Sequence, residues 1–279
     1  MREVLWKIGD RIVDVSRRGM IMGVLNVTPD SFSDAGKFFG LEQAVAKGIQ
    51  MAGEGAQIID IGGESTRPGA EPVSADEELR RVIAVIERLG EAEVFISIDT
   101  SKVEVARAAL DSGASIINDV TGGRHDDAKF RLAANRGVAF VIMHMQGEPR
   151  TMQQQPHYTD VVTEVADFFR QQYDRALECG VDPMTIAFDP GIGFGKTLEH
   201  NLEILRNLER LRVEGRPLLV GVSRKSFLGK LVGSSEMSAR LAPCLALTSL
   251  LRANGANIFR VHDVAENIAA LRATEAMLS

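Results

Sequence analysis

The sequence predicts an α/β protein: a closed parallel (β/α)8 barrel of the TIM type, preceded by a short N-terminal β-hairpin. Three observations lead there. Eight short β-rich apolar runs alternate with segments of helical apolar spacing. Each run ends in polar or charged residues, as at the rim where barrel enzymes build their sites. The 279 residues suit one barrel, so residues 1–279 are expected to form a single domain, with the hairpin in 1–19 and the barrel in 20–279. An open doubly wound sheet is the structural rival, but it usually has fewer strands.

Taken in order, Glu3–Ile8 and Arg11–Val15 flank a Gly9-Asp10 turn, the expected hairpin at the bottom of the barrel. The apolar runs follow: Met20–Leu25, Gln57–Ile61, Val94–Ile98, Ser115–Ile117, Val138–Met143, Thr185–Phe188, Leu218–Val222 and Asn257–Val261. Between them, Leu79, Val82, Ile83 and Ile86 form one helical stripe. Val162, Val165, Phe169, Tyr173 and Ala176 form another, and Ile268, Leu271 and Ala276 a third. Ser74 with Glu77, Ser101 with Glu104, and Asp263 with Glu266 have capping-box spacing. Pro243 is tolerable only in a first turn, so its helix should begin near Leu241.

Composition excludes several classes. The net charge of −6 argues against nucleic-acid or membrane-surface binding, though a local basic cluster can still hold a small anion. No apolar run approaches the ~20 residues of a membrane span, and Met1–Asp14 has no signal-like apolar stretch. The two cysteines, Cys179 and Cys244, lack ligand or CxxC spacing and read as reduced thiols of a cytoplasmic protein.

The rim residues follow from the run ends. They include Asn26, Asp99, Asn118, Met143-His144, Asp189, Ser223-Arg224-Lys225-Ser226, and Arg260 with His262-Asp263. Polar loop starts are common singly. Together, four basic groups (Arg67, Lys225, Arg260, His262) and three carboxamide or carboxylate groups (Asp99, Asn118, Asp189) describe a convergent site. Thr100, Asp119 and Asp263 read as capping or structural groups. Two decoys fall away. Gly191–Thr197 resembles a phosphate-binding P-loop, but Pro190 stands where that motif needs Gly. No HExxH or paired-His spacing supports a tight zinc site, so any metal here should be Mg²⁺, loosely held.

Seven blocks then resemble the dihydropteroate synthase family, in order from about residue 20 to the C-terminus. They are Asn26-Val-Thr-Pro-Asp-Ser-Phe-Ser-Asp34, Gly62-Gly-Glu-Ser-Thr-Arg-Pro-Gly69, Ile98-Asp-Thr-Ser-Lys102, Ile117-Asn-Asp-Val120, Asp189-Pro-Gly-Ile-Gly-Phe-Gly195, Ser223-Arg-Lys-Ser226 and Arg260-Val-His-Asp263. Val103 stands where the family often has Pro, and Ala35 where Gly is frequent. These departures touch loop detail, not matching site residues.

The resemblance implies a folate-biosynthesis transferase. It would condense 6-hydroxymethyl-7,8-dihydropterin pyrophosphate with p-aminobenzoate, releasing pyrophosphate, by a cation-like (SN1-type) displacement. It implies a pterin site of Asp99, Asn118, Met143, Asp189 and Lys225. The pyrophosphate site would be Asn26, Arg67, Arg260 and His262, with Mg²⁺ at Asn26. The p-aminobenzoate pocket would hold Thr66, Arg67, Pro68, Phe194, Lys225 and Ser226, and sulfonamides would compete there. Arg67 could serve either anion. Asp99 and Lys225 would act at the reacting centre, with Phe32 and Asp34 closing over it. A homodimer through the apolar helix at Ala242–Ala253 is a further expectation. The alternatives are a folate-dependent methyltransferase barrel, which has no use for the Arg/His anion site, and a non-catalytic pterin-binding paralogue, which should have lost Asp99, Lys225 or His262.

Overall fold

The computed structural model describes residues 3–28, 37–65, 70–148 and 151–278. The chain runs β1 (Leu5–Ile8), β2 (Arg11–Asp14), β3 (Met20–Asn26), α1 (Lys37–Gly53), β4 (Ile58–Gly62), α2 (Ala75–Leu89) and β5 (Phe95–Asp99). Then come α3 (Val103–Asp111), β6 (Ile116–Asp119), α4 (Ala128–Arg136), β7 (Ala139–Met143), α5 (Val161–Glu178) and β8 (Ile186–Asp189). Last are α6 (Leu198–Arg206), β9 (Leu219–Val220), α7 (Ser226–Val232), α8 (Leu241–Ala253), β10 (Ile258–Val261) and α9 (Val264–Leu278). β1 and β2 form an antiparallel hairpin with Trp6 opposite Val13. The other strands make one 8-stranded parallel sheet in the order β8-β7-β6-β5-β4-β3-β10-β9. Its ends meet at a Phe188–Leu218 bridge, so the barrel is nearly closed. β9 is shorter than the predicted Leu218–Val222; beyond that run the Lys225 N–H donates to the Val222 carbonyl at 3.2 Å and closes a turn.

Side-chain alternation along each strand decides what the barrel holds. Ile21, Leu25, Ile59, Ile61, Ile96, Ile98, Phe140, Ile142, Phe188 and Phe259 pack outward against the helices. Met20, Met22, Ile58, Ile116, Ala139, Val141, Ala187, Leu219 and Ile258 fill the lower interior with Trp6 and Ile8 of the hairpin. Continuing inward at the same parity towards the strand C-termini come Asp60, Ser97, Asp99, Asn118, Met143, Asp189 and Arg260. An apolar floor therefore lies below a layer of polar groups.

The hairpin is fixed as a plug. The Trp6 indole N–H donates to the Thr185 carbonyl at 2.9 Å, and Arg252 holds the Val15 and Ser16 carbonyls at 3.3 and 2.7 Å. Trp6→Phe is expected to cost about 1–3 kcal/mol by leaving a buried carbonyl unpaired, read as a lower thermal midpoint at unchanged turnover.

The helices follow their predicted stripes with local differences. On α2 the fully buried line is Val82, Val85, Ile86 and Leu89, while Leu79 and Ile83 flank it. Ala276 faces solvent, not the core. Ser74 caps α2 as expected, accepting from the Glu77 N–H at 3.2 Å. Ser101 does not cap α3, whose preceding residue is Lys102. Thr100 instead accepts from the Lys102 N–H, forming a local turn that shifts the helix start. Asp263 spends its carboxylate on Arg224 at 2.6 Å. A capping box absent from the sequence reading joins Thr197 and His200 at α6, with His in the usual Glu position. α8 begins at Leu241, which puts Pro243 in its first turn. Among the described residues, no helix is long and apolar enough to cross a membrane.

Candidate active site

Four strands deliver one connected cluster inside the upper barrel. Arg260 on β10 donates to Asp60 Oδ2 on β4 at 2.6 Å and to Asp99 Oδ2 on β5 at 2.7 Å. The Asn118 amide on β6 donates to the same Asp60 oxygen at 3.1 Å. Among the described residues, four oxygens in this layer are buried without a partner: Asp60 Oδ1, Ser97 Oγ, Asp99 Oδ1 and Asn118 Oδ1. Buried oxygens left this way are costly unless a donor meets them. The layer is therefore built for a ligand that presents several N–H groups.

Asp189 faces the cluster from β8, and its Oδ1 accepts from the Gly191 N–H at 2.7 Å. Burial raises its carboxyl above the ordinary range, opposed by that N–H and by Lys225 and Arg260. Burial also pushes the Asp99 carboxyl up to about 7 despite the Arg260 guanidinium beside it. Arg260 stays charged, because Asp60 and Asp99 more than offset the cost of its burial. Lys225 lies between these groups and the Phe194 ring, with Nζ 3.9 Å from the ring centroid. Burial, then Arg260, lowers its ammonium to about 8, against Asp189 and Asp99. Arg224, just before it, holds a left-handed φ of 59°, a strained conformation for a non-glycine residue that turns the chain sharply into α7.

His262 sits at the mouth beside Ser223. The Ser223 hydroxyl oxygen accepts the His262 backbone N–H at 3.2 Å and lies 3.1 Å from Nδ1. When the hydroxyl donates to Nδ1, the ring proton stands on Nε2 as a donor. Burial, then Arg260 and Arg224, lowers the ring to about 3. Anion binding through this Nε2–H should therefore show no His262 titration between about pH 5 and 8. A nitrogen NMR titration checks this; an imidazolium signal appearing near pH 6.5, the ordinary histidine value, would refute it.

The predicted residues divide as follows. Asp99, Asn118, Asp189, Lys225 and Arg260 converge. Met143 is buried with Val120, Met145 and Met152, and Phe194 packs on that group. Asn26 ends β3, half-buried, in register with Gly62. Ser226 is the exposed first residue of α7. Phe32, Asp34, Thr66, Arg67 and Pro68 lie outside the described residues. Thr100 and Asp119 have structural partners, Asp119 accepting from the Thr121 and Gly123 N–H groups, both at 2.9 Å. Asp60 and Ser97 belong to the cluster and were missed by reading only run ends. The available signal was their polarity at inward positions of apolar runs.

Comparison with known proteins agrees with this geometry. The chain matches the family described as pterin binding enzyme over residues 22–262. It is 48% identical over 262 residues to a dihydropteroate synthase of Escherichia coli, covering 93% of this chain and 92% of that one. It superposes at a TM-score of 0.92 on the Xanthomonas albilineans dihydropteroate synthase solved with 4-aminobenzoic acid, at 43% identity, covering 100% of this chain and 99% of that one. The same organism's enzyme in complex with 7,8-dihydropteroate gives a TM-score of 0.86 at 38% identity, covering 99% and 98%.

Proposed function

The chain belongs to the pterin-binding enzyme family, among its dihydropteroate synthases, and from that premise we propose how its own residues carry the reaction. It is a transferase that joins 6-hydroxymethyl-7,8-dihydropterin pyrophosphate to p-aminobenzoate, giving 7,8-dihydropteroate and pyrophosphate. The observation that carries the reading is the layer of buried, unpartnered acceptors on Asp99 and Asn118 beside Asp189. The pterin's amino and ring N–H edge supplies the donors they lack. Asp189 takes the paired edge, Asn118 gives and takes one bond each, and Asp99 faces the dihydropyrazine ring. Met143 packs against the ring.

The displacement is cation-like. Asp99, with Asp60 behind it, lies where positive charge develops on the pterin as its C–O bond breaks, and the low-dielectric barrel strengthens that attraction. His262 donates from Nε2 to the departing pyrophosphate, joined by Arg67. Arg260 supplies positive charge from inside the barrel. No cluster of three His, Cys, Asp or Glu able to hold a metal occurs among the described residues. Asn26 offers one hard oxygen donor that would hold a loosely bound Mg²⁺, and that ion when bound would supply positive charge for the leaving group. The aryl amine, uncharged at neutral pH, needs orientation more than a base. Lys225 and Phe194 hold its ring, Thr66 and Pro68 complete the pocket on this reading, and the Ser226 end of α7 receives its carboxylate. Sulfonamides share that shape and compete there. Phe32 and Asp34 close over the bound pyrophosphate.

We also propose a single domain and a homodimer. The dimer rests on exposed apolar residues: Leu250 of α8, 55% exposed, and Leu231, Val232 and Met237. Light scattering at micromolar concentration tests it, a monomeric mass counting against. A reducing, cytoplasmic setting is supported by the free thiols of Cys179 and Cys244. The deciding test of the reaction supplies the pterin pyrophosphate, p-aminobenzoate and Mg²⁺, and follows pyrophosphate and 7,8-dihydropteroate together. Pterin binding without either product would overturn the reading.

A further inference from the structure

Lys196 closes the segment that resembles a P-loop, yet its side chain does something else. It is 2% exposed, and among the described residues its ammonium touches no carboxylate. Nζ lies 3.0 Å from His144 Nδ1, 3.1 Å from the Gly191 carbonyl and 3.0 Å from the Phe194 carbonyl, with the His144 carbonyl a weaker contact at 3.4 Å. An ammonium has three protons, and these three close acceptors match them. The ring can accept at Nδ1 only when neutral, and His144 is held well below its ordinary value by burial and then by Lys196.

The same ammonium therefore stitches the β8–α6 segment to the end of β7. That segment has no slack elsewhere. Gly191 has φ 64°, and a Cβ there would meet the His144 carbonyl at 1.9 Å. Tyr158 donates to the Gly195 carbonyl at 2.9 Å, and Asn201 accepts from the Gly193 N–H at 2.8 Å. Two residues on this segment belong to the proposed substrate sites: Asp189, held by the Gly191 N–H, and Phe194, under Lys225. Burying a cation without a contacting anion is costly, which argues that its position is used. Burial pulls the Lys196 ammonium down to about 7; Asp189 favours its charge, and Lys225 and Arg124 oppose it.

We propose that Lys196 is a positioning residue, its ammonium clamping Gly191 and Phe194 against His144 so that Asp189 meets the pterin and Phe194 the aryl amine. This rests on the reading given under Proposed function. The test compares wild type with Lys196→Met for three quantities: binding of 6-hydroxymethyl-7,8-dihydropterin, the KM for p-aminobenzoate, and binding of inorganic pyrophosphate with Mg²⁺. The expected result is a pterin Kd and an aryl-amine KM each about tenfold or more worse, with pyrophosphate binding within about twofold. Lys196→Gln, which keeps two donors without the charge, should recover part of the loss, and it carries the same comparison if the methionine variant does not fold. Three equal losses would mean general structural damage and overturn the proposal; so would three unchanged values. Wild-type formation of 7,8-dihydropteroate in the same assay separates this from the broader reading: with it intact, a failed prediction for Lys196 overturns the clamp alone.

Discussion

Lys225→Ala is expected to lower kcat/KM by roughly 10²–10³-fold, the scale on which losing one preorganised charge-stabilising group acts. The ammonium lies 3.9 Å from the Phe194 ring centroid and is drawn towards Asp189 and Asp99. It therefore stands where the proposed pterin and aryl-amine sites meet. Its depressed proton affinity gives the prediction a second, opposite signature. Burial lowers the group from an ordinary 10.5 to about 8. Activity that needs the charged form should fall as pH rises through about 8. Stability should do the reverse. Between about 8 and 10.5 the unfolded chain binds a proton that the folded one has released, so folding becomes more favourable as pH rises across that window. A pH–rate profile and thermal melts over the same range check both. If wild-type activity stays flat to pH 10, or if Lys225→Ala keeps its turnover, the central role fails.

What the sequence made legible follows the physics of each signal. Strand and helix order were readable because β runs and helical stripes have different periods, and Pro243 marked the start of α8 without any contact information. Strand ends identified Asp99, Asn118, Asp189 and Arg260, because in a barrel chain order alone brings those ends to one rim. Asp60 was illegible by that rule. It sits in mid-strand, and only its inward parity, shared with Ile58 and Gly62, shows that it reaches the same cavity. Lys196 was set aside correctly as no P-loop lysine, yet its bonds depend on carbonyls of Gly191 and Phe194 whose direction is fixed by folding. The Thr197–His200 cap escaped because its partner three residues on is histidine rather than Glu or Gln. Arg260 shows the reverse problem. Its position was readable, but its engagement with two carboxylates was not, since Asp60 lies 200 residues away in sequence.

That engagement makes Arg260→Met the variant with the largest expected effect on stability. Asp60 and Asp99 are buried on neighbouring strands, and the guanidinium is the cation that bridges them. Removing one member of a buried ionic group typically costs about 3–5 kcal/mol, because the remaining charge is left without a partner. At roughly 2–4 °C per kcal/mol for a chain approaching this size, the melting temperature should fall by about 6–20 °C. The direction with pH discriminates this from simple loss of packing. The Asp99 carboxyl already stands raised, at about 7, through burial and in spite of Arg260. Without the guanidinium it must rise further. A carboxyl whose folded value exceeds its unfolded one contributes stability at low pH and loses it as pH climbs through the folded value. Relative to wild type, Arg260→Met should therefore be far weaker at pH 8 than at pH 5. Melts at those two values measure it, and an equal deficit at both would reject the electrostatic account. Adding Asp60→Asn and Asp99→Asn to Arg260→Met removes the unpaired charges, so stability should return towards wild type while turnover does not. The separation follows from chemistry: a neutral cluster can pack and hydrogen-bond, but it offers no anion to the cationic pterin and no fixed positive charge to the departing pyrophosphate.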